Sequence, residues 1–231
     1  MASHFQGLIP ECDLGNIITF ECHSRKQSGV GNTSERCHDM LLRCFIAIEI
    51  PESIKKSVAD IIGSLKKSGS DVKWVPDENI HITLQFLGET EESLIPDIKE
   101  ALYKILAPYS SFYIKIADVG CFPSGRRPRI IWVGMEESQP LINIYKDISG
   151  EMVKFGYQKE ERGFTPHLTI GRVKSNRNMG ELLSKLEEFK ITDFPDFEVR
   201  NITLMKSELK PSGAKYYSLA EIPFGGSNNG N

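Results

Sequence analysis

Two short stretches of this chain share one pattern: His81-Ile82-Thr83-Leu84 and His167-Leu168-Thr169-Ile170. Both lie in aliphatic and β-branched runs of the kind that predict strands. Side chains alternate along a strand, so each histidine shares a face with the threonine two residues later, about 6.6 Å away. The aliphatic residues between them then point into a core. We therefore expect one His-x-Thr pair on each of two strands, with the imidazoles and hydroxyls facing a common cleft.

The overall composition is that of an ordinary globular protein. The chain has 231 residues, 40% of them hydrophobic and 26% charged, which is enough for one large domain or two small lobes. Its apolar runs are strand-sized, far shorter than the roughly 20 residues of a membrane span, and no signal-peptide pattern is present. Five irregularly spaced cysteines indicate reduced thiols rather than a disulfide framework. We expect a cytoplasmic protein.

Residues 1–39 differ from the rest of the chain in composition. They contain three of the five cysteines and three of the five histidines in a polar, Gly/Ser-rich sequence. We interpret them as a poorly ordered extension that precedes a natural start at Met40. The alternative is a small zinc site, whose candidate ligands are Cys12, Cys22, His23, Cys37 and His38. Their spacing lacks the paired arrangement of structural zinc modules, so we prefer the extension. At the other end, the Gly/Asn-rich residues 224–231 predict a disordered tail.

From Met40 onward, apolar patterns predict alternating strands and amphipathic helices. Helical spacing predicts helices at 51–68, 91–107, 141–155 and 178–189, with Thr90 as an N-cap and Pro96 delaying or bending the second helix. The predicted strands are 41–50, 72–75, 80–87, 112–119, 129–134, the second motif strand from Pro166, 194–205 and 215–222. The order reads β-α-β-β-α and then β-β-α-β-α-β-β, with one motif in each half. This predicts an α+β fold over residues 40–223, in which two similar lobes of antiparallel sheet with flanking helices surround a central cleft.

The chain resembles a known family at both motifs. His81-Ile82-Thr83-Leu84-Gln85-Phe86-Leu87-Gly88 and Thr165-Pro166-His167-Leu168-Thr169-Ile170-Gly171-Arg172 are similar to the two signatures of the 2H phosphoesterase superfamily. Within it they most resemble the RNA 2′,3′-cyclic phosphodiesterases, also called 2′-5′ RNA ligases. Residues 42–48 and 129–134 are similar to two further strands of that family. The resemblance runs from about Met40 to about Ile222 and predicts nothing for residues 1–39.

The resemblance implies a bilobal fold and an enzyme that hydrolyses the 2′,3′-cyclic phosphate at an RNA end to a 2′-phosphate, without a metal or other cofactor. By analogy with the family, His81 is the proton donor and His167 the proton acceptor, and Thr83, Thr169 and Arg172 bind the substrate phosphate. Strict alternation would place Arg172 on the opposite face from His167, unless a bulge at Gly171 re-aims it. We expect an RNA end as the ligand, no membrane association and a monomer without an obligate protein partner.

The residues support this chemistry on their own terms. Opening a cyclic phosphate with water needs a base for the attacking oxygen and an acid for the departing ribose oxygen. Histidine has an unperturbed pKa of about 6.5, so one imidazole can be neutral and the other protonated near neutral pH. Hydroxyl groups and a guanidinium can donate to the non-bridging oxygens, whose charge grows in the transition state. The residues alone do not distinguish which histidine is the acid.

Several further residues have both a functional and a structural interpretation. Arg126, Arg127 and Arg129 either hold RNA phosphates or form a solvated loop, and Trp74 and Phe122 either stack a terminal base or belong to a core. Lys206 and Lys210 flank the last hairpin and are weak candidates to line the cleft. The two motif histidines could instead bind zinc, but neither has an Asp, Glu or Cys at ligand-like spacing.

Two other functions compete with hydrolysis. The same site run in reverse would ligate a cyclic phosphate end to a 5′-hydroxyl; the sequence has no nucleotide-activating motif, so hydrolysis should dominate in water. The alternative from another class is a non-catalytic RNA-end binding protein. Two intact His-x-Thr motifs argue against it, because a binder needs no proton shuttles. The net charge of −3 is unlike that of a protein that coats nucleic acid, so any RNA is held at its end.

Overall fold

A computed structural model describes residues 40–125, 127–158, 163–189, 194–211 and 213–226. The predicted extension at 1–39 with its candidate zinc ligands, Arg126, and residues 227–231 lie outside these ranges. The four helices are α1 Glu52–Lys66, α2 Ile95–Leu106, α3 Gln139–Met152 and α4 Met179–Glu188. The ten strands are β1 Leu41–Glu49, β2 Val72–Trp74, β3 His81–Glu91, β4 Phe112–Ile114, β5 Ile116–Phe122, β6 Ile130–Met135, β7 His167–Val173, β8 Phe197–Val199, β9 Asn201–Lys210 and β10 Gly213–Pro223. The predicted α+β class is confirmed.

Eight strands form one antiparallel sheet, and seven of them follow the order β10-β9-β1-β3-β7-β6-β5. The eighth strand, β2, pairs with a part of β7 that does not pair with β3. The two strands that carry the motifs are therefore neighbours at the centre of the sheet. Strands β4 and β8 form a separate two-stranded sheet. The predicted pair of lobes is present as the two halves of the large sheet, one on each side of the β3–β7 junction.

The assignment of strands to halves differs from the sequence prediction at one point. We expected the last two strands to complete the second half, but β9 pairs with β1, and β10 pairs with β9, in the half of the first motif. Two predicted strands are also divided: 112–119 becomes β4 and β5, and 194–205 becomes β8 and β9. In both places the chain crosses from the small sheet to the large one. No local sequence pattern predicts such a crossing.

The hydrophobic core lies on one face of the large sheet, under the helices. Helix α1 buries Ile54, Val58, Ile61, Ile62 and Leu65, as its spacing predicts. The aliphatic residues of the motif strands join the same core cluster as the buried faces of all four helices. A second, small cluster on the other face contains Phe45, Ala47 and Met205, with Tyr216 packed against it. The sheet is thus covered by helices on one side and carries the motifs on the other.

Two local predictions are wrong. Thr90 does not cap α2, because it is buried near the end of β3, where its hydroxyl lies 3.3 Å from the Gly88 carbonyl and 3.0 Å from the Tyr157 hydroxyl. The helix begins later, at Ile95, with Pro96 in its first turn. The folded chain also extends past residue 223, because Phe224 is buried and Gly226 donates to the Tyr109 carbonyl at 3.0 Å.

None of the helices in the described ranges is both long and apolar enough to cross a membrane.

Candidate active site

The junction of β3 and β7 brings the two motifs together. Ile82 pairs with Leu168 across this junction, and both side chains are completely buried in the core. Because side chains alternate along a strand, the residues on either side of this pair point to the opposite, helix-free face. The histidines and threonines of both motifs therefore lie on one face of the sheet, as the sequence predicts.

Their mutual arrangement follows from the same register. One step along the antiparallel strands from the central pair, His81 lies across from Thr169, and Thr83 lies across from His167. Directly opposed residues have Cβ atoms about 4.5–5.5 Å apart. The two imidazoles are close enough for the charge of His167 to lower the pKa of His81. Each half thus contributes one imidazole and one hydroxyl to a single group with approximate two-fold symmetry.

Each imidazole is oriented by a carbonyl two residues before it. Nδ1 of His81 lies 2.8 Å from the carbonyl oxygen of Asn79, and Nδ1 of His167 lies 2.8 Å from that of Thr165. A carbonyl oxygen only accepts, so Nδ1 carries the hydrogen in both rings. Nε2 is then the atom that exchanges protons, with a free lone pair when the ring is neutral and an N–H when it is charged. The site thus presents two Nε2 atoms that can exchange protons.

Both imidazoles favour the neutral form. Burial lowers the pKa of His81 to about 4, partly opposed by the hydrogen bond to Asn79 and assisted by His167. Burial also lowers the pKa of His167, opposed by the bond to Thr165 and assisted by the positive charge of Arg172. Burial acts this way because a cation loses more hydration than a neutral ring. A bound anion between the rings would restore the charged form of one of them.

The two threonines are available to a ligand. Thr83 and Thr169 are only partly buried, and within the described ranges neither hydroxyl has a hydrogen-bond partner. Each lies beside the imidazole of the other motif. A tetrahedral anion in the centre could accept a hydrogen bond from both.

A bulge in β7 brings Arg172 to the same face. Gly171 pairs with Ile131, whereas Thr169 pairs with Trp132, so Ile170 is an extra residue in β7. The partner strand β6 alternates without interruption, and Arg172 lies across from its residue Ile130 on the motif side. The predicted re-aiming of Arg172 is therefore present, and its charge lowers the pKa of His167.

Gly171 is required here by a close approach of β2. A Cβ atom at this position would stand 2.7 Å from Cγ1 of Val72 and 3.1 Å from Cε3 of Trp74. The contact also shows that Trp74 faces the core side, so the suggestion that it stacks a substrate base is wrong. Its neighbour Lys73, which points the other way, was not singled out from the sequence.

Strand β3 contains the same irregularity at the equivalent place. Ala47 pairs with Thr83 and Ile46 with Gln85, so Leu84 is an extra residue in β3. Phe86 then pairs with Phe45 on the motif face, where its side chain is 54% exposed. Phe86 follows His81 by the same number of residues as Arg172 follows His167. The two strands thus present an aromatic ring and a guanidinium at matching positions.

An aromatic wall encloses His81. The ring of Phe45 lies 4.9 Å from the imidazole, and the ring of Tyr216 lies 5.2 Å away in an edge-on orientation. These contacts contribute to the burial that lowers the pKa of His81. Sequence reasoning missed both residues. Alternation along β1 could have placed Phe45 on the motif face, but Tyr216 reaches the site only because β10 returns to this half.

A second aromatic wall encloses His167. Phe122 lies edge-on to the imidazole at 5.4 Å and stacks on Trp132 at 4.8 Å. The indole lies flat on the sheet, because Gly120 and Gly134 have no side chains to lift it; a Cβ at Gly120 would stand 2.4 Å from the Trp132 ring. Phe122 therefore lies at the site, where the sequence suggests that it could stack a terminal base. Trp132 also lies there, although sequence reasoning did not suggest it.

The two lysine candidates, Lys206 and Lys210, do not converge on the motifs. Lys206 and Lys210 both pair with Glu208, and their ammonium groups lie 5.4 and 5.9 Å from the Tyr217 ring. Tyr217 alternates with the site residue Tyr216, so this group lies on the other face, and the suggestion that these lysines line the cleft is wrong. In the loop after β5, Arg127 is exposed.

Comparisons with known proteins show which family this chain resembles over most of its length. The family model of the 2′-5′ RNA ligase superfamily matches residues 50–211. An RNA 2′,3′-cyclic phosphodiesterase of Methanocaldococcus jannaschii is 38% identical over 180 residues, covering 78% of this chain and 99% of the relative. One from Thermotoga maritima is 37% identical over 187 residues, covering 80% and 97%.

Solved structures share the fold. A protein of Thermus thermophilus matches with a TM-score of 0.67 at 22% identity, covering 81% of this chain and all of that one. The E. coli LigT protein in complex with 3′-AMP matches with a TM-score of 0.60 at 23% identity, covering 80% and 99%. With two His-x-Thr motifs on adjacent central strands and a family model that spans most of the folded residues, the chain belongs to the 2′-5′ RNA ligase superfamily.

Proposed function

We propose that this protein hydrolyses RNA 2′,3′-cyclic phosphate ends to 2′-phosphates by acid–base catalysis with two histidines and no metal ion. The observation that carries the proposal is the β3–β7 register, which gathers two imidazoles and, within the described ranges, two unpartnered hydroxyls on one face. The relatives from Methanocaldococcus jannaschii and Thermotoga maritima, which this chain covers almost completely, are RNA 2′,3′-cyclic phosphodiesterases, and this supports the same substrate class.

In the proposed reaction, Nε2 of His167 takes a proton from water as the water oxygen attacks phosphorus. The bond from phosphorus to the ribose O3′ breaks, and Nε2 of His81 gives its proton to O3′. The products are a 2′-phosphate monoester and a 3′-hydroxyl. Thr83, Thr169 and Arg172 donate hydrogen bonds to the non-bridging oxygens, whose negative charge grows as the fifth bond forms. The same steps with a 5′-hydroxyl in place of water as the nucleophile would form a P–O5′ bond, break the bond to O3′ and so ligate two RNA ends through a 2′-5′ linkage.

His81 becomes protonated when the substrate binds. In the free protein its pKa of about 4 leaves it neutral near neutral pH, but the negative charge of a bound phosphate favours the imidazolium. His167 lies beside Arg172, whose permanent charge favours the neutral form that a base needs. The assignment of His81 as acid and His167 as base follows the family resemblance, since burial lowers the pKa of both rings.

The first test is the reaction itself. A short RNA ending in a 2′,3′-cyclic phosphate is incubated with protein and excess chelator, and the phosphate position in the product is assigned by phosphorus NMR. We expect a 2′-phosphate. A 3′-phosphate would contradict the assigned leaving group, and binding without any product would favour the non-catalytic RNA-end binder.

The acid and base roles are tested with a substrate in which sulfur replaces O3′. A thiolate leaves without needing a proton, so this substrate should restore much of the activity lost in His81→Ala but not that lost in His167→Ala. Rescue of the opposite variant would reverse the assignment.

We also propose that residues 40–226 suffice for this activity and that residues 1–39 are dispensable. A chain that starts at Met40 should fold and react with an unchanged kcat/KM. A loss of kcat/KM on the order of tenfold would give the N-terminal residues a part in the reaction.

A further inference from the structure

Lys73 and Arg172 form a pair of cations beside the motifs. They are directly opposite each other on the antiparallel strands β2 and β7, and directly opposed residues point to the same face of a sheet. Arg172 lies on the motif face because of the bulge at Ile170. Lys73 must therefore point to that face as well.

The packing of β2 gives the same orientation independently. The residues on either side of Lys73 are Val72 and Trp74, and both approach Gly171 from the core side. Lys73 alternates with them and is exposed. Two separate observations thus place its side chain on the face that carries the catalytic group.

The two cations have no counter-charge among the residues that the structure describes. Neither Lys73 nor Arg172 forms an ion pair or a side-chain hydrogen bond there, whereas Lys115 pairs with Glu136 at 2.8 Å. Asp71 lies two residues before Lys73 but accepts a hydrogen bond from the Ser175 hydroxyl at 2.7 Å. Like charges directly opposite each other destabilise a sheet. An anionic ligand between them would remove that cost.

The position of the pair relative to the catalytic group indicates which anion it binds. His167, Thr169 and Arg172 occupy consecutive motif-side positions of β7, so the pair lies about 6.6 Å beyond Thr169 along the strand. Arg172 can reach back to the reacting phosphate, whereas Lys73, on the neighbouring strand, extends the positive charge away from it. That displacement suits a second phosphate in the same RNA strand.

We propose that Lys73, beside an Arg172 that holds the reacting phosphate, binds the phosphodiester that precedes the terminal nucleotide, and that this second site makes the protein select oligonucleotide ends over single cyclic nucleotides. The inference rests on the proposed function. Lys73 then selects the substrate, and a chain with a net charge of −3 holds RNA because its positive charge is concentrated beside the reacting end.

The test compares three substrates with equal terminal groups. These are adenosine 2′,3′-cyclic phosphate, the dinucleotide ApA ending in a 2′,3′-cyclic phosphate, and the same dinucleotide with an uncharged methylphosphonate linkage. For the natural protein, kcat/KM should be higher on the charged dinucleotide by about fivefold to tenfold than on the other two. In Lys73→Met this preference should largely disappear, because the variant loses the contact with the linkage phosphate but keeps the residues that contact the reacting phosphate.

Salt dependence supplies a readout that a purely structural role would not change. One lost phosphate contact should reduce the slope of log kcat/KM against log salt concentration by about 0.7 on the charged dinucleotide. The matched control is Lys56→Met, which removes an exposed lysine from α1 on the helical side of the sheet. It should retain both the preference and the slope.

The outcomes separate the two proposals. If the natural protein hydrolyses none of the three substrates, the proposed function fails. If it hydrolyses all three without preferring the charged linkage, or if Lys73→Met lowers kcat/KM equally on every substrate, the proposed function stands and the second phosphate site is wrong.

Discussion

The two halves of the central sheet use the same backbone to present different chemistry. In each, a histidine donates through Nδ1 to a carbonyl two residues earlier, a threonine follows on the same face, and a bulge comes next at Leu84 or Ile170. The residue that the bulge brings back to the motif face is Phe86 in one half and Arg172 in the other. The shared part places the two imidazoles and the two hydroxyls, and the unshared part distinguishes an apolar side of the site from a cationic one.

This difference extends to the surroundings of each imidazole. His81 contacts the rings of Phe45 and Tyr216 and has its pKa lowered to about 4. His167 lies beside Phe122 and Arg172. Approximate symmetry in the backbone therefore does not make the two histidines equivalent, and substitutions in the two halves can show which features matter.

The largest effect should come from removing either imidazole. We expect His81→Ala and His167→Ala each to lower kcat by about 10²–10⁴-fold, because each deletes one positioned proton transfer. Binding of a cyclic-phosphate end should remain within about tenfold of the natural protein, measured by fluorescence anisotropy. A variant that kept most of its turnover would contradict the two-histidine mechanism.

The next effect separates the two residues that follow the bulges. Arg172→Met should lower kcat/KM by about 10²-fold, because it removes a donor to oxygens whose charge grows in the transition state. Phe86→Leu should cost about fivefold or less, since it changes only apolar contact at an exposed site. Equal losses in both would mean that the two halves act alike, against the assignment of Arg172 to the phosphate.

The pH profile should show that both imidazoles favour the neutral form. The reaction needs one protonated and one neutral ring, and kcat/KM reports the pKa values of the free protein. Both are lowered from 6.5, so the optimum should lie below about pH 6.5 and the rate should fall as pH rises past it. In Arg172→Met the pKa of His167 should increase, moving its limb of the profile to higher pH. An optimum above about pH 7 would contradict the burial argument.

The same shift has a consequence for folding. Because the pKa of His81 is about 4 in the folded protein and about 6.5 when unfolded, the unfolded chain takes up protons first as pH falls. This contribution to the free energy of unfolding is complete above about pH 6.5 and should decrease by about 2 kcal/mol between about pH 7 and pH 5. His81→Asn cannot titrate and should lose less stability over that range in urea titrations followed by circular dichroism.

A final substitution tests the close approach of β2 to β7. Gly171→Ala places a methyl group against Val72 and Trp74 and should lower the free energy of unfolding by about 1–3 kcal/mol. The matched control is Gly180→Ala in α4, where no atom lies within 4 Å of the added Cβ; it should be neutral or stabilising. If Gly171→Ala were as stable as the control, β2 would not approach β7 as closely as described.

The sequence by itself determined the parts of the molecule that depend on local periodicity. The alternation in His81-Ile82-Thr83 and His167-Leu168-Thr169 separated a reactive face from a core face, and helical spacing placed the buried side of α1. These predictions were correct because a period of two or of 3.6 residues is set by the backbone itself. Recognition of the motif pair then led to the family.

Tertiary structure alone decided which elements meet. No local pattern states that β3 pairs with β7, that β9 and β10 return to the first half and bring Tyr216 to His81, or that Lys73 lies across from Arg172. Bulges at Leu84 and Ile170 reverse the alternation of side chains beyond them. Arg172 therefore faces the motifs, although strict alternation from His167 would place it on the opposite face. Register between strands far apart in sequence is fixed by packing over the whole sheet, which a single strand does not encode.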